Sequence, residues 1–202
     1  GCIRKILTNE KIDDIDLATN INPSEVKKIL KDQNIKFIET GLSHGTITVV
    51  LGEKNYEITS LRKDVSTDGR HANVKFTNDW KEDASRRDFS INSIYSDIDG
   101  NLFDPYNGKF DLKNGKINFI GNPNERIKED YLRILRYIRF FLNYSNIPHD
   151  EKIKKVIRQN INGVKKLSKE RLIDELRKIF ISKKFTNLAK DPFMLELIGL
   201  VF

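Results

Sequence analysis

Hydrophobic and polar positions alternate along the first half of the chain, as they do in half-buried strands. The strands that this alternation predicts are 13–18, 35–38, 46–51 and 55–59. A tight turn at 52–55 joins the last two of them. Asn22 followed by Pro23 is typical of a helix start and predicts a helix that runs to about Leu30. This half therefore has the pattern of a mixed α/β unit.

The next stretch combines a gap in the pattern with a clear turn signal. Residues 61–80 show little periodicity and are predicted to form a long loop, and a short helix is predicted over 84–89. Two short strands, 93–96 and 102–103, flank Asp99-Gly100, which is typical of a hairpin.

From Asn124 onward the apolar positions recur with helical spacing. The predicted helices cover 125–144, 151–160, 168–182 and a last apolar segment from Pro192. The change from mixed α/β to all-α falls near Gly121-Asn122-Pro123.

The helix predicted over 125–144 has an apolar face and a charged face. Its apolar positions are Ile127, Tyr131, Ile134, Leu135, Ile138, Phe141 and Leu142. Glu129, Arg133 and Arg136 lie opposite, Arg139 flanks them, and Asp130 is expected to pair with Arg133 at a spacing of three residues. A carboxylate fixed to an arginine could read the edge of a base, although a solvated face of helix ion pairs is the common alternative.

Asp14 and Asp16 are the first candidates for chemistry. On a strand they point to one face, while Ile15 and Leu17 are expected to point into a core. Two neighbouring carboxylates repel each other unless a cation lies between them, and Mg²⁺ is commonly bound by one or two carboxylates together with substrate phosphates. The pair therefore suggests phosphoryl or nucleotidyl transfer, although a solvated turn is the common alternative for such a short pattern.

A second candidate is Arg86-Arg87-Asp88, followed by Asn92. Guanidinium groups match phosphate oxygens, and Asp88 could accept a hydrogen bond from a ribose hydroxyl. A surface Arg–Asp pair is the alternative. Gly1 and Arg4 add a weaker signal for phosphate, because glycine lets backbone N–H groups approach closely.

Composition and charge narrow the class of protein. The net charge of the 202 residues is +7, and residues 150–187 alone carry 12 Lys/Arg against 5 Asp/Glu. Such a basic segment is typical of a protein that binds a polyanion, and a set of solvated lysine-rich helices is an equal alternative. The single cysteine excludes an internal disulfide, and no apolar run is long enough to cross a membrane. We expect a cytoplasmic protein without an obligate protein partner.

Taken in order, these motifs resemble the class II tRNA nucleotidyltransferases, which include the CCA-adding enzymes and the bacterial poly(A) polymerases. The resemblance extends over residues 1–145. It rests on Gly-x-x-Arg at 1–4, Asp-Ile-Asp-Leu-Ala-Thr at 14–19, Tyr-Glu-Ile-Thr-Ser-Leu-Arg at 56–62, Asp-Gly-Arg-His at 68–71, Arg-Arg-Asp-Phe at 86–89 with Ile-Asn at 91–92, Phe-Asp-Pro at 103–105 and the segment 126–136. Lys5 departs from the family pattern, which usually has an aspartate there.

The resemblance implies an α+β fold: a polymerase-β-like nucleotidyltransferase head with a small mixed sheet over 1–118, followed by an all-α neck over 119–202. It also implies that the first strand of the head is missing and that body and tail domains would follow the neck.

The resemblance further implies the site residues. Asp14 and Asp16 would hold two Mg²⁺ ions, with Glu57 as a third carboxylate. The residues implied at the triphosphate and sugar are Gly1, Arg4, Arg87, Asp88 and Asn92. Those implied at the incoming base are Glu129, Asp130 and Arg133, with Arg136 and Arg139 nearby.

The function implied is addition of C and A to the 3′ end of tRNA, from CTP and ATP and without a template. The segment around 68–70 resembles the element that is linked in this family to adding A after C. A poly(A) polymerase that uses only ATP, a non-catalytic RNA-binding fragment and a basic α/β protein without nucleotide chemistry are the alternatives.

Overall fold

A computed structural model describes residues 1–12, 14–41, 44–67 and 72–201. The chain divides into two units by its internal contacts. The first comprises Gly1–Ser66, Ala72–Arg87 and Asn92–Pro105, and the second is built mainly from Asp88–Ile91 and the residues from Tyr106 onward.

A small mixed sheet is the centre of the first unit. Its strands are β1 (Asp16–Thr19), β2 (Phe37–Gly41), β3 (Thr46–Leu51) and β4 (Lys54–Ser60). They are ordered β1-β4-β3-β2, with β1 parallel to β4 and the other neighbours antiparallel. The predicted α+β fold with a small mixed sheet is confirmed.

One helix of the first unit packs its apolar side on the sheet. The N-terminal helix α1 (Cys2–Leu7) precedes it, and α2 (Pro23–Asp32) begins where Asn22 and Pro23 predicted, because the Asn22 side chain accepts a hydrogen bond from the Ser24 N–H at 3.3 Å. The core between helix and sheet is formed by Val26, Leu30, Ile47 and Val49.

The first strand differs from its prediction. It begins at Asp16 rather than at residue 13, and the expectation that Ile15 and Leu17 point into a core is wrong, because these side chains are 49% and 44% exposed. β1 lies at the edge of the described sheet, and the buried apolar cluster of this unit is supplied by α2 and β3 instead.

The rest of the first unit contains two further pairs of strands. Part of the stretch predicted as a loop forms the paired strands β5 (Arg62–Thr67) and β6 (Ala72–Phe76), so the loop prediction is wrong there. Residues 68–71, part of which the resemblance linked to adding A after C, lie outside the described residues. Strands β7 (Tyr95–Ser96) and β8 (Leu102–Phe103) form the predicted hairpin, with Gly100 at φ 86°.

The helix predicted over 84–89 lies earlier in the chain. It is α3 (Trp80–Ser85), and it begins after Asp79, whose carboxylate accepts from the backbone N–H of Lys81 at 2.7 Å. Asp79 is a capping residue, and this local signal marks the start of the helix four residues before the one predicted.

The second unit is helical. Its elements are α4 (Gly108–Lys113), α5 (Pro123–Glu129), α6 (Leu132–Tyr144), α7 (Glu151–Asn160), α8 (Lys169–Phe180), α9 (Pro192–Val201) and three 3₁₀ segments, Ser90–Asn92 at its border, Ile161–Lys166 and Phe185–Lys190. The core of this unit surrounds α6. The apolar positions predicted on segment 125–144 are all buried or partly buried in this core.

The prediction of one continuous helix over 125–144 is wrong. The chain leaves helical geometry at Asp130, which has extended backbone angles of φ −154° and ψ 105°. The Asp130 carboxylate accepts from the Leu132 N–H at 3.1 Å through Oδ1 and from Arg171 Nη2 at 2.8 Å through Oδ2. Asp130 therefore ends α5 and starts α6, which side-chain spacing alone does not reveal.

A glycine fits next to this junction. The ring of Tyr131 lies against Gly163, and a Cβ placed on Gly163 would be 2.1 Å from two of the ring carbons. In the part of the chain that the structure describes, no helix is both long and apolar enough to cross a bilayer.

Candidate functional site

Two carboxylates are register partners beside the edge of the sheet in the first unit, and a third lies shortly before the edge strand. Asp16 and Glu57 stand opposite each other in the parallel β1–β4 ladder, so their side chains lie side by side on one face. Asp14 precedes the strand by two residues. All three are exposed, and none makes a side-chain hydrogen bond or ion pair within the described ranges.

The donor chemistry of this edge fits a hard cation. Among the residues that the structure describes, no group of three or more His, Cys, Asp or Glu side chains is arranged as a complete metal site. Mg²⁺ does not require one, since it usually keeps several waters and binds one or two carboxylates together with substrate phosphates. Neighbouring carboxylates without a basic partner are therefore suited to an ion that the substrate helps to hold.

A second group in the first unit joins three predicted phosphate-binding residues. Arg4, on α1, is buried at 8% exposure, and its Nη1 donates to Oδ1 of Asn92. Arg87 Nη1 donates to the backbone carbonyl of Asn92 at 3.4 Å. Gly1 is exposed and occupies the N-cap of α1. The structure thus brings Arg4, Arg87 and Asn92 into one hydrogen-bonded chain.

Asp83, which the sequence analysis missed, is the acceptor for the paired arginines. Asp83 Oδ1 accepts from Arg86 Nε at 2.9 Å, and Oδ2 accepts from Arg87 Nη2 at 3.2 Å. Burial raises the pKa of Asp83, but the two guanidinium groups outweigh it and hold the pKa below the usual value. Asp83 lies three and four residues before these arginines. This is the spacing of ion pairs on a helix, and it could have identified Asp83 as a candidate partner.

Asp88, predicted at the sugar, belongs to the second unit and is buried. Its Oδ1 accepts from the Phe89 N–H at 2.9 Å, and its Oδ2 accepts from Arg136 Nε at 2.6 Å. Burial alone would lower the pKa of Arg136, but the Asp88 charge and hydrogen bond raise it. Two predicted site residues therefore form an ion pair with each other.

The acidic and basic residues around the α5–α6 junction pair differently from the prediction. Glu129 Oε2 accepts from Arg133 Nη1 at 2.7 Å and from Arg126 Nη1 at 2.5 Å, and Arg133 also donates to the backbone carbonyl of Arg126. The expected pair of Asp130 with Arg133 is wrong, because the break at Asp130 directs its carboxylate to Arg171.

Arg139, the last of the predicted base-site residues, is paired with a buried carboxylate on α8. Its Nε donates to Glu175, which is 1% exposed, and its guanidinium lies 4.3 Å from the ring centroid of Phe140. Arg126, Arg171 and Glu175 are partners that the sequence analysis did not single out. The last two carried no local signal, since each is more than 35 residues from its partner.

The basic segment 150–187 presents many side chains to solvent. In the described chain four of its twelve basic residues form ion pairs, including Arg158, which binds Glu196 through two hydrogen bonds of 2.8 and 2.6 Å. Those whose side chains form no hydrogen bond or ion pair within the described chain are Lys152, Lys155, Lys165, Lys166, Lys169, Arg177, Lys183 and Lys184. The segment therefore keeps a positive surplus at its surface.

Two family descriptions match the chain. Residues 1–118 match the family described as the poly A polymerase head domain. Residues 149–190 match the family described as the probable RNA and SrmB-binding site of polymerase A.

Individual relatives and solved structures agree with this match. The human mitochondrial CCA tRNA nucleotidyltransferase 1 is 47% identical over 191 residues, which are 93% of this chain and 44% of that protein. The Bacillus stearothermophilus CCA-adding enzyme in complex with CTP is 31% identical, with a TM-score of 0.77 over 100% of this chain and 46% of its own. A tRNA nucleotidyltransferase complexed with a primer tRNA and an incoming ATP analogue is 25% identical, with a TM-score of 0.73 over 98% of this chain and 55% of its own.

This chain spans less than half the length of the curated relatives it matches. The name of the human relative places that protein in mitochondria, so the expected cytoplasmic location is not confirmed.

Proposed function

Because the chain belongs to the family of the poly A polymerase head domain, we propose that it is a template-independent RNA nucleotidyltransferase that adds C and A to the 3′ end of tRNA from CTP and ATP. The names of its relatives support this substrate choice. The pairing of Asp16 with Glu57 at the sheet edge, two residues beyond Asp14, is the observation that carries the proposal.

In this proposal Asp14 and Asp16 hold Mg²⁺ and Glu57 is the third carboxylate. When bound, two Mg²⁺ ions supply activation of the primer 3′-hydroxyl and neutralisation of the triphosphate. The exposure of the three carboxylates supports this role, since a solvated edge leaves room for waters and phosphate oxygens around an ion.

The triphosphate is bound by Gly1, Arg4 and Arg87, and Asn92 and Asp88 help to place sugar and phosphate. Support comes from the bonds of Arg4 and Arg87 to Asn92, which hold two cationic side chains in fixed positions. An arginine that is already ordered loses less conformational entropy when a phosphate binds.

Base selection falls to the second unit, through Glu129, Asp130 and Arg133, with Arg136 and Arg139 nearby. The support is that each of these side chains has a charged partner, so their donors and acceptors have fixed directions. Fixed polar groups can discriminate between bases, because the wrong base leaves a donor or acceptor unpaired. The exposed lysines of 150–187 contact the tRNA backbone.

A product ladder tests the proposal. The chain is incubated with Mg²⁺ and a tRNA that lacks its terminal CCA, with CTP, ATP, both or neither. We expect extension by C with CTP alone and completion to CCA with both nucleotides. Extension of unrelated RNAs by ATP alone would favour a poly(A) polymerase, and RNA binding without any extension would favour a non-catalytic fragment.

A further inference from the structure

Asp83 is the centre of the charged cluster in the first unit. It lies on α3 and is 1% exposed. Besides the two arginines, it accepts from the Tyr95 hydroxyl at 2.6 Å and from the Arg62 backbone N–H at 3.2 Å. A carboxylate has about four lone-pair sites, so these four donors fill its capacity. Asp83 is therefore built to hold its neighbours and not to bind a ligand.

Arg87, one of these neighbours, makes several further contacts within the cluster. In addition to Asp83, its Nε contacts the Tyr95 hydroxyl at 3.2 Å and its Nη1 contacts the Asn92 carbonyl. Its guanidinium carbon lies 5.1 Å from the centroid of the Tyr95 ring. The Arg87 side chain is still 30% exposed, so part of it reaches solvent from a fixed position.

The charges of the cluster leave a surplus that suits an anion. Asp83 carries one negative charge, and Arg86 and Arg87 carry two positive charges next to it. Burial raises the pKa of Tyr95, so its hydroxyl stays protonated and donates to Asp83. The cluster as a whole keeps a net positive charge around the exposed part of Arg87.

We propose that Asp83 is a positioning residue that sets the direction of Arg87 toward the triphosphate of the incoming nucleotide. This inference rests on the proposed function, which assigns Arg87 to the triphosphate. Its physical content is that Asp83 and Tyr95 order the guanidinium before the nucleotide binds, so that binding does not have to order it.

The test compares two nucleotides on the Asp83→Asn variant. The affinity for CTP is measured by calorimetry with Mg²⁺, and the affinity for CMP by NMR titration. The amide turns an N–H₂ group toward donors that need an acceptor, so we expect the Kd for CTP to rise about tenfold, the effect of losing one charged hydrogen bond. The Kd for CMP is expected to change by less than about twofold, since CMP lacks the β- and γ-phosphates.

Two further variants separate positioning from damage to the fold. Tyr95→Phe removes one contact from Arg87 and keeps Asp83, so it should raise the Kd for CTP by about threefold, and it decides the question if Asp83→Asn does not fold. Asp111→Asn is the matched control, because Asp111 is also buried and its carboxylate accepts from Ser90 Oγ at 2.6 Å. It should leave the ratio of the CTP and CMP affinities unchanged.

The outcomes are distinct. Equal weakening of CTP and CMP, or no change of CTP affinity in either cluster variant, would overturn the positioning role while the proposed function stands. A wild-type chain that binds no CTP with Mg²⁺ would overturn the proposed function itself, and the positioning role with it.

Discussion

At the sheet edge of the first unit, Asp14, Asp16 and Glu57 are exposed and have no described side-chain partner, whereas around α6 of the second unit Glu129 and Glu175 each hold at least one arginine. At the edge, the carboxylates of Asp16 and Glu57 lie side by side and repel each other, and this repulsion favours the binding of a cation. Around α6 the carboxylates are already paired with arginines. One region is thus arranged for a ligand that brings charge, and the other for a ligand that is matched by geometry.

Removal of one edge carboxylate should break the comparison most strongly. In Asp14→Ala we expect nucleotide incorporation to fall at least about a thousandfold, because a bound cation supplies several kcal/mol of transition-state stabilisation. The free energy of unfolding should change by less than about 0.5 kcal/mol, since no described contact is lost. Both are measured by primer extension and urea unfolding.

Asp99→Ala is the control for this variant. Asp99 is an exposed carboxylate at the hairpin between β7 and β8, and its loss should leave incorporation intact. A large loss of stability in Asp14→Ala would show that the edge is a structural site.

Removal of a buried carboxylate beside α6 should have the opposite profile. Glu175→Ala leaves Arg139 without its partner in a partly buried position and should lower the free energy of unfolding by about 3 kcal/mol. Urea titration followed by circular dichroism measures it. The double variant Arg139→Met with Glu175→Leu should recover much of that loss, and a double variant less stable than Glu175→Ala would contradict this account of the pair.

In Arg133→Ala, near α6, we expect a loss of nucleotide specificity, which would distinguish this region further from the sheet edge. The preference for CTP and ATP over UTP and GTP, measured as ratios of kcat/KM, should fall by about tenfold, because in the proposed function Arg133 supplies hydrogen-bond donors to the edge of the base. Arg177→Ala, an exposed arginine on α8, is the control. An equal loss for all four nucleotides would assign Arg133 to triphosphate binding or to stability.

The smallest effect is expected at the basic segment. Replacement of Lys152, Lys155 and Lys169 by Gln should reduce the slope of log affinity for tRNA against log salt by about 0.7–0.9 for each phosphate contact removed. Replacement of Lys31 and Lys36 in the first unit is the control. If the slope does not change, these lysines are only solvated surface.

Elements with local signals could be predicted from the sequence. Asn22 and Pro23 mark the start of α2, Gly100 marks a hairpin, and Thr46–Leu51 is the strand that the alternation predicted. These signals succeed because the residues that cap, turn or alternate are neighbours in the chain. Alternation does not say which strand lies at an edge, and for this reason Ile15 was misjudged.

The candidate site likewise has a part that local spacing predicts and a part that it does not. The spacing of Asp14 and Asp16 pointed to a shared face, but their neighbour Glu57 could be named only by resemblance, because strand register is set by pairing. At the break, the Asp130 carboxylate binds Arg171, which is 41 residues away and carries no local signal. Ion pairs between distant helices follow from tertiary packing, which a periodic pattern does not encode.

The contact between Gly163 and Tyr131 has a consequence for sequence variation. A methyl group on Gly163 would overlap the aromatic ring, so any larger residue must displace the Tyr131 side chain from its observed position. Tyr131 is bonded directly to Asp130, and the displacement would rotate the residue that separates α5 from α6. The absence of a side chain at Gly163, on the 3₁₀ segment Ile161–Lys166, therefore preserves the alignment of α5 and α6. We expect this position to tolerate substitution as poorly as the charged positions nearby.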